Sequence, residues 1–427
     1  MSTKLVKSLL PPDLSPYSAR VRSDQPTARR LTLAPPPTRT PSPRVARTGE
    51  VLDLIRRGVA TTTTELATAM GLARSTVAER LELLVKQGLV MSVGETTAGR
   101  GRPSSVLAFN QRAGVTLTAQ VGMSGTLTAI TDLAGEVRWI EQVHLDVAEG
   151  ADAMAAMLQR QFEVGLAAVD TGKRVYGIGI GLPGDIEIAA RAGGTDRPWD
   201  PAVITTRLSK QFGCPVFTDR DVNYLALGEQ RSTWSSSSTL LCLKVGTVIA
   251  AGLVVGGDVI RGSGGLFGEI GHSKVAGAQG PCACGGRGCL NTVAGGAVLA
   301  DVLRRQGHEA HTARDVTALA NRGVVDAIQV VREAGVQIGA VAASLINMLN
   351  PDVVTVWGYL ADAGDQFLAG MHEAIYKGAL PSSARALTLE RSRLGDNAGI
   401  TGAAFAVIGK TLSPELIDNY FTELAGA

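Results

Sequence analysis

The sequence is short of several things, and each shortage narrows what the protein can be. Its charges almost cancel: 41 Lys and Arg stand against 39 Asp and Glu, a net charge of +2. That is too small to make the whole molecule a polycation, so any grip on nucleic acid has to come from a local basic region. There is no apolar run of about 18 residues or more; the best candidate, Leu240 to Val255, is broken by Lys244 and by glycines. The opening residues, MSTKLVKSLLPPDL, carry two lysines but no apolar stretch with a small-residue cleavage site behind it, so no export signal is expected. Cysteine is scarce, with five in the chain. An odd number, clustered, argues against a disulfide framework and for metal or free thiols. No repeat at a solenoid period occurs. These absences together predict a cytoplasmic protein without a membrane span.

What is present suits a multidomain α/β protein. A chain of 427 residues exceeds what one core usually serves, and 45% hydrophobic with 19% charged residues is ordinary for a globular protein. The 51 glycines favour tight turns and close backbone approaches over long uninterrupted helices. Residues 1–46 are rich in Pro, Ser, Thr and Arg, as in RRLTLAPPPTRTPSPRVAR. Such a segment buries too little to offset its ordering entropy, which predicts a disordered, solvated basic tail.

From Thr48 the pattern changes. Val51, Leu54 and Ile55 fall at helical spacing, and Gly58 ends that helix. Thr62 and Glu65 are placed as a capping box for a second helix bearing Leu66 and Met70. Gly71 makes the turn into a third, whose buried stripe is Val77, Leu81 and Leu84 and which stops at Gly88. Two helices joined by a short glycine turn form a helix-turn-helix, which puts the early exposed positions of the second helix against base edges in the major groove. Those positions are Arg74, Ser75, Thr76, Glu79 and Arg80. The following LVMSVGETTAGRGRPSSVLAFN reads as strand, turn, strand: a wing with Arg100 and Arg102 flanking Gly101 at its tip, fit for the minor groove. A helical hairpin for protein contacts is the alternative; the basic wing decides for a winged helix-turn-helix over residues 47–110 that binds double-stranded DNA.

Beyond Thr116 strand-like and helix-like stretches alternate. TLTAQVGMSGTLTAITDLAGEVRWIEQVHL reads as three strands, VYGIGIGLPGDIEI as a buried strand entering a Pro-Gly turn at Gly184, and Asp221 sits where a strand gives way to a helix. Ligands in such folds collect at strand ends. The densest chemistry is GEIGHSKVAGAQGPCACGGRGC, Gly268 to Cys289. Its Cys282, Cys284 and Cys289 with His272 form the four-ligand set that structural zinc prefers, closed to an activated water. A redox pair is the alternative reading. Glu269, three residues before His272, suits recognition of vicinal hydroxyls beside a metal-held imidazole; alternatively it caps a helix or faces solvent.

A winged helix ending in AGRGRP, then GEIGH, CACGGRGC, FTDRDVNYLALGE and LNPDVVTVWG, resembles the ROK family of repressors and sugar kinases from about Glu50 to the C-terminus. The resemblance implies an actin-like, two-lobed domain of sugar-kinase and RNase H-like type behind the headpiece: a small lobe of residues 111–219 with 392–427, and a large lobe of 220–391 carrying the zinc knot. It further implies a homodimer or homotetramer that releases a palindromic operator when a carbohydrate binds, with Arg100 and Arg102 in the minor groove of A·T-rich flanks.

Measured on the family's kinases, the nucleotide side is altered. Gln120 stands where an aspartate organises Mg2+, Val248 and Ala250 replace glycines of a phosphate loop, and Gly358-Tyr359 stands for a glycine pair. Crowded phosphates need backbone donors and a cation, so no kinase activity is expected. The sugar side keeps Asp221 as a vestigial catalytic residue, with Glu269 and His272. Arg220 replaces an asparagine and Asn291 a glutamate. If both face the pocket they make it more positive by two charges, which points to a phosphorylated or otherwise acidic sugar; alternatively Arg220 pairs with Asp219 or Asp221 and sugar binding is lost. The expectation is a transcriptional repressor of carbohydrate genes. The alternatives are a sugar kinase with an added DNA-binding domain and a ligand-independent regulator.

Overall fold

A computed structural model describes residues 45–96, 104–123, 125–145, 149–169, 172, 174–184 and 199–426. Residues 1–44 of the expected tail and the wing tip with Arg100, Gly101 and Arg102 lie outside the described residues, whereas Val45 and Ala46 belong to the headpiece, Val45 in its core and Ala46 bonded to Arg80.

The headpiece begins with α1 (Thr48–Arg56), α2 (Thr63–Met70) and α3 (Arg74–Lys86), followed by the antiparallel pair β1 (Val90–Thr96) and β2 (Ser104–Phe109). The capping box forms: the Thr62 hydroxyl accepts from the Glu65 N–H at 3.2 Å, and the Glu65 carboxylate accepts from the Thr62 N–H at 3.1 Å. Gly71 turns the chain with φ of 64°, a conformation that costs glycine nothing. Val51, Leu52, Leu66, Val77, Leu81 and Leu84 close the core between the three helices.

Two five-stranded sheets follow. The first is built from β3 (Gly114–Gly122), β4 (Gly125–Asp132), β5 (Val137–Val143), α4 (Ala151–Ala168), β6 (Arg174–Leu182), α5 (Pro201–Phe212) and β7 (Val216–Arg220), in the order β5-β4-β3-β6-β7. After α6 (Asp221–Ser232) the second is built from β8 (Thr239–Val245), β9 (Ile249–Val255) and β10 (Asp258–Ile260). The helices α7 (Asn291–Ala294), α8 (Gly296–Arg305), α9 (Ala313–Asn321) and α10 (Val325–Leu349) intervene before β11 (Val353–Trp357). Then come α11 (Asp365–Gly378), α12 (Pro381–Ala386) and β12 (Thr388–Arg391), completing the order β10-β9-β8-β11-β12. Each sheet is three antiparallel strands extended by two parallel ones, so the second repeats the topology of the first. The central strands β3, β6 and β8 are buried nearly throughout, as strands covered on both faces must be.

The chain returns as α13 (Asn397–Thr411), which packs on α6, β3 and β6, and ends in α14 (Pro414–Gly426). The two helices α6 and α13 cross backbone to backbone. A Cβ on Gly402 would stand 1.8 Å from the Tyr224 carbonyl, and one on Gly228 would stand 2.1 Å from the Ala398 carbonyl. Among the described residues no helix is long and apolar enough to cross a membrane.

One assignment needs correction. The last helix was placed with the small lobe, whereas α14 packs on α1 and its Ile417 and Phe421 complete the headpiece core. The reason lies at the start of α1, where Arg47 gives no side-chain cap and the first N–H groups have no partner within the helix. The Asp418 carboxylate supplies it, accepting from the backbone N–H of Arg47 and of Gly49, each at 2.8 Å. Gly49 admits the contact because Pro414 fills the space a side chain would need.

Removing the shared cap should loosen the headpiece while leaving the lobes intact. In Asp418→Ala the amides of α1 should exchange with deuterium about tenfold faster, the loss of roughly 1–3 kcal/mol of local stability, with β3 unchanged. An unaltered α1 rate would dismiss the cap.

Candidate functional site

The knot follows β10 as a loop folded on itself. Lys274 bridges to Cys289 and Pro281 to Arg287, the Cys282 N–H donates to the Gly286 carbonyl at 2.8 Å, and the Gly288 N–H donates to that of Gly280. These turns bring His272, Cys282, Cys284 and Cys289 together, with all candidate ligand atoms within 4.8 Å of one another. The Cys284 and Cys289 sulfurs are 3.8 Å apart, and the Cys282 sulfur is 3.5 Å from His272 Nδ1. Tetrahedral ligation with metal–sulfur bonds of about 2.3 Å separates two sulfurs by about 3.8 Å, so the donor set and its spacing fit a four-coordinate metal. The Gly286 N–H pulls the Cys284 thiol down to about 7, whereas burial pushes Cys282 up to about 11. Lys274 Nζ lies 3.1 Å from the Cys289 sulfur and places a cation beside the thiols. With Nδ1 turned to the sulfurs, His272 points Nε2 at Glu269, 3.9 Å from Oε2.

Glu269 carries the knot into the pocket. Its other oxygen pairs with the Arg220 guanidinium, which also donates to the Phe267 carbonyl. Gly184 closes over this pair: a Cβ there would be 2.6 Å from both Arg220 Nη2 and Glu269 Oε1. The structure thus unites Gly184, Arg220, Glu269 and His272. Asn291 stands nearby against Gly271 and accepts from the Ile249 N–H at 2.8 Å, so its carbonyl fastens α7 to β9.

The three successive charged residues where β7 passes into α6 each find an opposite charge on a different segment. Asp219 pairs with Arg261, Arg220 with Glu269, and Asp221 with Lys244. The Arg220 guanidinium, expected to make the pocket more positive, is paired with Glu269, and Asp219 and Asp221 are paired with Arg261 and Lys244. Arg220 does not turn to Asp219 or Asp221, because Arg261 and Lys244 already occupy those carboxylates. The Arg220 Nε is buried with no hydrogen-bond partner among the described residues.

The Asp221 carboxylate faces the other way, into a cleft that Gln120, Lys244, Thr247, Arg314, Trp357 and Tyr359 help to line. Its second oxygen accepts from the Val222 N–H at 2.7 Å. Gln120 is 8% exposed and presses against Gly399 of α13. Arg314 covers the Tyr359 ring at 4.8 Å. Sequence reading missed Lys244 and Arg314. The signal for Lys244 was a charge inside the apolar strand LLCLKV, which has to be paired to be buried.

On α3, Arg74, Ser75 and Glu79 are exposed and Thr76 is half-buried. Arg80 is not among them: it is 5% exposed, with Nε donating to the Ala46 carbonyl at 2.6 Å and Nη1 to that of Thr76 at 2.8 Å. Its position beside Val77, Leu81 and Leu84 puts it on the buried stripe, so the guanidinium pins the segment before α1 and faces no groove.

A family model described as the ROK family matches residues 116–410, and one described as the IclR helix-turn-helix domain matches residues 44–94. The chain is 28% identical over 369 residues to a putative xylose repressor of Caldicellulosiruptor sp. strain Rt8B.4, covering 82% of this chain and 92% of that one. It is 32% identical over 256 residues to a glucokinase of Halalkalibacterium halodurans, covering 55% and 76%. The crystal structure of a ROK family transcriptional regulator, a homologue of the Escherichia coli MLC protein, superposes with a TM-score of 0.72 at 25% identity over 89% of this chain and 99% of that one. The repressor relative is matched over more of this chain than the glucokinase, 82% against 55%.

The Lys244–Asp221 pair gives a stability test. Lys244→Met should leave Asp221 buried and uncompensated, at a cost of about 3–5 kcal/mol. Lys244→Met with Asp221→Leu should recover most of it. Urea denaturation reads both, and a neutral single variant would refute the pairing.

Proposed function

The chain belongs to the ROK family, and from that premise we propose that it is a DNA-binding transcriptional repressor of carbohydrate genes whose kinase-like lobes sense a sugar without phosphorylating it. The observation that carries this reading is the Lys244–Asp221 ion pair beneath an intact headpiece. In phosphoryl transfer a carboxylate at this position has to take the proton of the attacking hydroxyl. Here an ammonium holds it. Gln120 offers an amide where a carboxylate would organise Mg2+, and Val248 puts a side chain in the phosphate loop.

Zinc is the proposed metal. His272, Cys282, Cys284 and Cys289 would hold it, and when bound it supplies a cross-link between the two ends of the loop with no position open to substrate. The chain's own residues then do the recognition. His272 is oriented through Nδ1 and offers Nε2 with the Glu269 carboxylate to hydroxyl groups, above the Gly184 turn. The matched charges support a neutral sugar over a phosphorylated one, and the sugar has to displace Arg220 from Glu269 to reach that carboxylate. Lobe movement reaches α3 through α13, α14 and the Asp418 cap. A homodimer would set two α3 helices one duplex turn apart on a palindromic operator in the cytoplasm, with Arg100 and Arg102 as minor-groove anchors.

Operator binding by fluorescence anisotropy tests this reading. Arg74→Ala should weaken specific binding by about 1–3 kcal/mol, and Arg100→Ala with Arg102→Ala should reduce the salt dependence. One zinc per chain is expected, lost in Cys289→Ser. ATP-dependent sugar phosphorylation at enzyme-like turnover, or no preference for any duplex over random DNA, would overturn the proposal.

A further inference from the structure

A second cavity lies where headpiece, first sheet and C-terminal helices meet, at the ends of β6 and β7 opposite those that lead to Gly184 and Arg220. About 180 Å³ of it is enclosed space, room for a ligand of a few heavy atoms with the remainder open to solvent. Its walls come from three places: Gln87 and Leu89 at the end of α3, Arg174 and Tyr176 at the start of β6, and Leu416 and Tyr420 on α14. Gln87 is the residue that closes α3, so an occupant would touch the far end of the recognition helix.

The chemistry inside is one-sided. The Arg174 guanidinium lies between two tyrosine rings, 5.1 Å from the centre of Tyr176 and 4.9 Å from that of Tyr420. Stacking fixes the plane of a guanidinium and leaves its edge of N–H donors open. Among the described residues Arg174 has no carboxylate or carbonyl acceptor, and these two ring contacts are its interactions. The Tyr420 hydroxyl donates to Gln87 Oε1 at 2.9 Å, which turns the amide nitrogen of Gln87 into a further donor. The remaining wall is Leu89, Pro215, Leu416 and Ile417, which are apolar, and Thr411, whose hydroxyl donates to the Val407 carbonyl of its own helix. Donors gathered around one fixed cation, against an apolar wall with no acidic residue, match a carboxylate on an apolar body.

We propose that this junction is a second effector site, taking a small organic monocarboxylate whose carboxylate is held by Arg174 and whose apolar body packs against Leu89 and Leu416. Such a ligand would clamp α14 and the first sheet to the end of α3, a route to the headpiece separate from the carbohydrate pocket.

The test uses the full chain without DNA, so its outcome is independent of the operator reading. Benzoate and hexanoate are titrated by saturation-transfer NMR beside benzamide, hexanamide and inorganic phosphate. The two carboxylates should bind, with the amides and phosphate about tenfold weaker or worse. Arg174→Met, a change at an exposed position, should lower carboxylate binding about tenfold or more at an unchanged melting temperature. Bound benzoate should slow deuterium exchange at the end of α3 in the wild type only. Equal binding to wild type and Arg174→Met, equal binding of amides or phosphate, or no carboxylate binding up to about 10 mM would each overturn the proposal.

Discussion

The close crossing of α6 and α13 is the constraint from which the rest of the lobes is laid out. Gly228 and Gly402 let each helix rest on the other's backbone. About two turns toward the N-terminus, α6 begins at Asp221, directly after the Asp219-Arg220 end of β7. The position of α13 sets Gly399 against Gln120. The two sheets are thereby held about a shared pair of helices, with the charged strand end on one side and the cleft on the other. A side chain at either glycine would push the helices apart, because the atoms opposite are backbone and cannot rotate away.

The same pair of helices explains how a kinase-like body can serve a DNA-binding head. Helix α13 contacts β3, β6 and α6 and runs into α14 after a short turn, and α14 completes the headpiece core. The body thus meets the head through a buried face, with a carboxylate capping α1 at its centre. Such a junction transmits displacement, because packed interfaces shift between discrete arrangements and do not deform continuously. The cavity beside Tyr420 lies on this path.

Charge pairing has remodelled the inherited site. Three successive residues at a strand end, Asp219, Arg220 and Asp221, would repel or collapse onto one another if left to themselves. Each has been given a counter-ion from a different segment: Arg261 after β10, Glu269 before the knot and Lys244 in β8. The pairs hold those segments in place. The Asp221–Lys244 pair is buried, and each of its charges is tolerated there because the other is present.

Much of this was legible along the chain. The headpiece helices, the capping box and the strand-rich body follow from periodicity and local hydrogen bonding, which act over a few residues. The candidate metal ligands were legible because three of the four lie within one short run. The expectations that failed concern partners distant in sequence. Arg80 has donor chemistry that suits a groove, yet the fold places Ala46 beside it; Arg220 looked like a free cation until Glu269 was brought to it across the pocket. The repeated sheet topology left no repeat in the residues, since a buried strand asks only for apolar side chains and many sequences supply them. Sequence determined which faces are apolar, where helices start and which ligands cluster. Tertiary structure alone decided which distant group covers each face and neutralises each charge, because a period records the need for a partner and not its identity.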